Sequence, residues 1–64
     1  MAQWNVEFEH KATGTRRYVY LHAADARSMK RAHLNAAVRN AVKRAKAKLE
    51  KQREWRTMAA RCVG

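Results

Sequence analysis

Residues Gln3 to His10, QWNVEFEH, alternate strictly: Trp4, Val6 and Phe8 are apolar, while Asn5, Glu7 and Glu9 are polar. A period of two predicts a half-buried β-strand with one apolar and one polar face. Lys11 to Thr15 follows and contains Gly14, which reaches positive φ cheaply, so a hairpin loop of three to five residues is expected here. Arg16 to Ala23, RRYVYLHA, then predicts a second strand that is apolar on both sides. Val19, Leu21 and Ala23 form one side, and Tyr18, Tyr20 and His22 the other. Under a covering helix the aliphatic set belongs with Trp4, Val6 and Phe8. Tyr18, Tyr20 and His22 then share the opposite face with Glu7 and Glu9, which point into solvent. A slip of one residue in register would reverse this assignment.

The rhythm changes after Asp25. The chain has no proline, and its two glycines are Gly14 and Gly64, so nothing halts a helix between residues 25 and 61. Asp25 is a suitable N-cap. An unbroken helix to Arg61 would be about 55 Å long at 1.5 Å per residue, far more than a hairpin can cover. The apolar stripe also wanders. Ala26, Met29, His33 and Ala37 lie on one helical face. Leu34, Val38, Ala41, Val42, Ala45 and Leu49 lie on a second, rotated by roughly 130–150°. Trp55, Met58 and Cys62 return toward the first. A bend near residues 33–37, with Asn35 capping a second helix, resolves this; so does one long helix lying between two partners. The expected fold is α+β, one domain over residues 1–64: an antiparallel β-hairpin (3–23) followed by one long or two consecutive α-helices in the region 25–61, ββα or ββαα.

Charge turns this outline toward function. The 64 residues hold 15 lysines and arginines against five acids, a net charge of +10. Positive charge this dense repels itself and is normally kept to meet a polyanion. Nucleic acid, with DNA ahead of RNA, is the expected partner. A chain of this length buries only about 60% of the surface its unfolded form exposes, which leaves little room for an enclosed cleft. The single cysteine, Cys62, excludes an internal disulfide and points to a reducing compartment. No apolar run approaches the roughly 20 residues of a membrane span, and no signal-peptide core follows Met1, so a cytoplasmic protein without a membrane partner is expected.

The densest cationic segment is Arg39 to Arg56, with Arg39, Lys43, Arg44, Lys46, Lys48, Lys51, Arg53 and Arg56 against Glu50 and Glu54. On a helix most of these cations project away from the apolar stripe, so the face can lie along a phosphate backbone or enter a major groove. Arg16 and Arg17 are expected to extend the patch. Asn35, Asn40 and Gln52 are the residues able to pair with adenine edges, Asn35 being better suited to a cap. No leucine heptad follows Leu49, and no turn separates two short helices, so the leucine-zipper and helix-turn-helix modes of DNA reading are excluded. Tyr18, Tyr20 and His22 form a second candidate surface for stacking unpaired bases or meeting a partner, as does Trp55. His10, His22, His33 and Cys62 are spaced by 12, 11 and 29 residues, which fits no zinc pattern. Neither the solvent-facing Glu7 and Glu9 nor Ser28, in an exposed turn without an orienting base, makes a catalytic set. No enzyme activity, metal or cofactor is expected.

Two further readings follow from the same residues. The basic amphipathic helix can dock on an acidic surface of a host protein such as RNA polymerase or a nucleoid protein, with Trp4, Trp55 and Tyr20 as interface anchors. A homodimer can form through Leu34, Val38, Val42, Ala45 and Leu49. In length, charge and hairpin-then-helix order the chain resembles two broad groups: small bacteriophage proteins that bind host transcription or nucleoid machinery, and short ribosome-associated proteins. The resemblance is one of profile, without a shared motif; it implies a small regulatory protein of a bacterium or its phage.

Overall fold

The hairpin forms as its alternation predicts. In the computed structural model, which describes residues 1–64, β1 (Ala2–His10) pairs antiparallel with β2 (Arg16–Ala23). Val6 faces Val19, Trp4 faces Leu21 and Glu7 faces Tyr18, so the aliphatic side of β2 does join Trp4, Val6 and Phe8. The loop closes through the backbone of His10, whose N–H donates to Thr15 O at 2.8 Å and whose carbonyl accepts from Gly14 N at 2.9 Å. Gly14 has a φ of +73°, the left-handed conformation that glycine adopts most readily.

Beyond β2 the protein departs from the expected helical region over 25–61. Asp25 caps only a 3-10 turn, Ala26–Ser28, by accepting a hydrogen bond from Arg27 N. Met29 and Lys30 are extended, and α1 then runs from Arg31 to Lys46. The interruption therefore falls at Met29–Lys30, not near 33–37. Asn35 is an interior helical residue rather than a cap. The stripe change that suggested a bend marks the 3-10 turn, whose Ala26 reaches the core from outside the α-helix. The helix also ends early. Residues 47–51 reverse the chain, Gln52–Glu54 form a second 3-10 turn, and Trp55–Cys62 are a third strand, β3. The reversal puts Lys51, just before the second 3-10 turn, at φ 53° and ψ 54°, the left-handed region that glycine or asparagine adopts most readily.

The protein is thus α+β in the order ββαβ. One helix packs on a three-stranded antiparallel sheet of order β2-β1-β3, and the longest dimension is 37 Å. The segment AARC favours helix locally, but a lone hairpin is marginal in water, and β3 gives β1 a second row of hydrogen bonds. β3 escapes an alternation reading for a physical reason. Thr57 faces Phe8 and Ala59 faces Glu7, so Met58 is an extra residue, a β-bulge. Trp55 and Thr57 lie on the helix side before the bulge; Ala60 and Cys62 lie there after it. The parity of the apolar positions changes from odd to even within one strand.

The core lies between sheet and helix. Trp4, Val6 and Phe8 are its largest fully buried side chains, joined by Leu21, Ala23, Ala41, Ala45 and Leu49. Ala41 and Ala45 have no exposed surface, and side chains this small let the helix backbone approach the sheet closely. The Trp4 indole N–H is satisfied by Ala24 O at 3.0 Å. The stripe considered for a homodimer is largely occupied within the protein: Ala45 and Leu49 are buried, Val38 and Val42 pack against the core, and Leu34 is half-buried. No helix is long and apolar enough to cross a membrane.

Candidate nucleic-acid interface

The sheet separates two polar surfaces. Above it, the outer side of α1 presents Arg39, Lys43 and Lys46 at i, i+4 and i+7, which places them on one side of the helix. They border a groove of about 450 Å³ floored by Val38 and Val42 and closed by Gln52 of the returning chain. Lys48, Lys51 and Arg53 continue the positive charge through the reversal, all exposed. Arg44 lies on the opposite flank and donates to His22 O of β2 at 2.8 Å. Asn40 and Asn35 are exposed on α1. The helix end suits these cations, since its unsatisfied carbonyls carry partial negative charge.

Below the sheet lies the open face. Cross-strand partners share a face, so three rows can be read from the register. Asn5 is flanked by Tyr20 and Arg61, Glu7 by Tyr18 and Ala59, and Glu9 by Arg16 and Arg56. The carboxylates here do not point freely into solvent. Glu7 is 8% exposed and accepts from Arg16 Nη1 on one oxygen and from Arg61, at 3.4 Å, on the other. Glu9 lies 3.1 Å from Arg16 and 3.8 Å from Arg56. The hydrogen bond to Glu7 raises the Arg16 pKa above its ordinary value. Elsewhere, Arg27 grips Asp25 through two bonds of 2.9 Å and one from its own backbone N–H, which lowers the Asp25 carboxyl to about 2.

The expected site residues therefore separate. Arg16 and Arg17, neighbours on a strand, face opposite ways: Arg16 joins the open-face ion pairs, while the Arg17 guanidinium lies 5.8 Å from the ring centre of Trp55. Trp55 sits on the helix side, edge-on to His10 at 5.0 Å, and so is not beside Tyr18 and Tyr20. His10 reaches Glu54 at 2.9 Å. Tyr18, Tyr20 and His22 are exposed together on the open face. Arg56 and Arg61 on that face were hidden from sequence reasoning, which placed them at the end of a helix. The side chains of His10, His22, His33 and Cys62 are dispersed, and Cys62 Sγ lies 3.7 Å from Asp25 Oδ1.

The partition of charge is the main electrostatic fact. Arg16, Arg27, Arg56 and Arg61 have carboxylate partners, which leaves eleven of the 15 lysines and arginines without one. Three of these four paired arginines belong to the sheet's open face; α1 and the reversal hold most of the unpaired cations. Comparison with known proteins brings no homologue to bear: no family model, curated protein or solved structure matches the chain.

Proposed function

We propose that the protein binds nucleic acid, DNA ahead of RNA, through phosphate contacts made by the carboxy-terminal half of α1 and the reversal after it. One observation carries this reading: Arg39, Lys43, Lys46, Lys48, Lys51 and Arg53 gather there without a carboxylate partner. Phosphates neutralise such a surface and release condensed counterions, which favours binding with little dependence on base sequence. An α-helix fits the major groove of B-DNA, about 12 Å wide, but not the deep, narrow one of A-form RNA. Such a protein acts by occupancy, altering what else can reach the bound segment, and this is the sense in which it is a regulator.

The test is a titration of a fluorescent 20-base-pair duplex at 50 and 200 mM salt. With six phosphate contacts the affinity falls about a thousandfold between the two. An affinity that hardly moves would overturn the mechanism. A second reading, docking on an acidic host protein, is favoured by the apolar floor of the groove beneath its cationic rim, which suits acidic and apolar side chains presented together. Negligible duplex affinity, with an acidic protein retained from nuclease-treated lysate, would move the assignment there.

A further inference from the structure

We infer that the open face of the sheet is a second site, which takes single-stranded nucleic acid by stacking two unpaired bases on Tyr18 and Tyr20. The inference rests on the proposal that the partner is nucleic acid and adds where, and in what form, a strand is held.

Three observations converge on this face. Tyr18 and Tyr20 are 51% and 56% exposed although each occupies the middle of a strand. Being two residues apart, they stand roughly 6.7 Å from each other, about twice the 3.4 Å between successive bases along a duplex strand. Two such rings suit bases that have parted from one another, as single strands allow and duplexes do not.

The second observation is charge. Two glutamates on a binding face would repel phosphate, but Glu7 lies beneath Arg16 and Arg61, and Glu9 between Arg16 and Arg56. The side chains of Arg16, Arg56 and Arg61 are 46–54% exposed, those of the glutamates 11–24%. A strand crossing the face meets guanidinium groups, in a network of three cations and two anions. The third observation is Asn5, between Tyr20 and Arg61. Its Oδ1 is a buried side-chain acceptor with no hydrogen-bond partner. A small shift of either flanking side chain opens it to the exocyclic amine of a base over Tyr20.

Because α1 covers the other face, this strand is not the one lying along Arg39, Lys43 and Lys46. The protein can hold a single strand below the sheet and a duplex above it.

The experiment uses the full chain, a labelled 12-nucleotide single strand and the 20-base-pair duplex. Tyr18→Ala and Tyr20→Ala each lower single-strand affinity roughly 5- to 150-fold, the range for loss of one stacked base. Duplex affinity stays within twofold, and Tyr→Phe at either position retains single-strand binding. Wild-type chain photocrosslinked to a 5-bromouracil strand gives adducts on β2. Folded alanine variants with unchanged single-strand affinity, or adducts confined to α1, overturn the inference while leaving duplex binding intact. Loss of single-strand and duplex affinity in equal measure overturns it too. Wild-type protein that binds neither nucleic acid overturns the proposed function itself.

Discussion

Neutralising the helix side offers the sharpest test of how the charge is used. The variant carries Arg39→Gln, Lys43→Gln and Lys46→Gln. None of these residues has a carboxylate within ion-pair distance and none is fully buried, so the core is untouched. Two small effects on stability oppose each other. Relief of like-charge repulsion at i, i+4 and i, i+3 returns about 0.2–0.5 kcal/mol per pair, and loss of the last-turn cations Lys43 and Lys46 removes about 0.3–1 kcal/mol each. Folding stability should therefore stay within about 1.5 kcal/mol of wild type. Binding should not. Each phosphate contact adds about 0.9 to the slope of log affinity against log salt, so six contacts give a slope near −5 and three a slope near −3. From 50 to 200 mM salt the wild type then loses about a thousandfold and the variant only about 50-fold. Fluorescence anisotropy at four or five salt concentrations measures both lines, which should converge as salt rises. Parallel lines, or a variant indistinguishable from wild type, would refute the argument that these three side chains meet phosphate.

Further predictions concern the fold that holds these surfaces apart. Phe8→Ala empties the centre of the core and should cost about 3–5 kcal/mol, against a total of roughly 3–10 kcal/mol for a domain this size; urea unfolding followed by tryptophan fluorescence measures it, and a loss below about 1 kcal/mol would contradict the packing. Lys51→Gly removes a left-handed lysine whose conformation costs about 1–2 kcal/mol, partly offset by about 0.5–1 kcal/mol of glycine backbone entropy, so the urea midpoint should rise slightly and should not fall. Asp25 has a folded pKa of about 2 against its ordinary 3.8, so its stabilisation is complete above that ordinary value and disappears as pH falls toward 2. Thermal melts of wild type and Asp25→Asn should accordingly differ most at neutral pH and converge at pH 2.

What could be read in advance followed from short-range regularity. Trp4, Val6 and Phe8 announced β1, Gly14 its turn, and the two-sided character of β2 foretold that Tyr18, Tyr20 and His22 would lie opposite the aliphatic residues. The stripe from Leu34 to Leu49 likewise marked the side of α1 that meets the sheet. Longer-range features left little trace. β3 is stabilised by an edge of β1 that lies far back in the chain, Cys62 pairing with Trp4 and Trp55 with His10, while Met58 erases its alternation and Ala59, Ala60 and Arg61 favour helix. The return of Trp55, Met58 and Cys62 to another helical direction was its faint sign. With β3 unseen, the environment of Glu7 was misjudged, because Arg61 comes to it only through that strand. The surroundings of Asn5 were illegible for the same reason.

The place of β1 has a bearing on how the chain is made. Of the three strands, the first to be synthesised is the middle of the sheet, and its second neighbour follows only after α1. Until that strand arrives, the nascent hairpin carries a bare flank able to pair with a neighbouring nascent copy. A net charge of +10 makes such copies repel one another during that interval, so the surplus of cations opposes pairing between nascent chains.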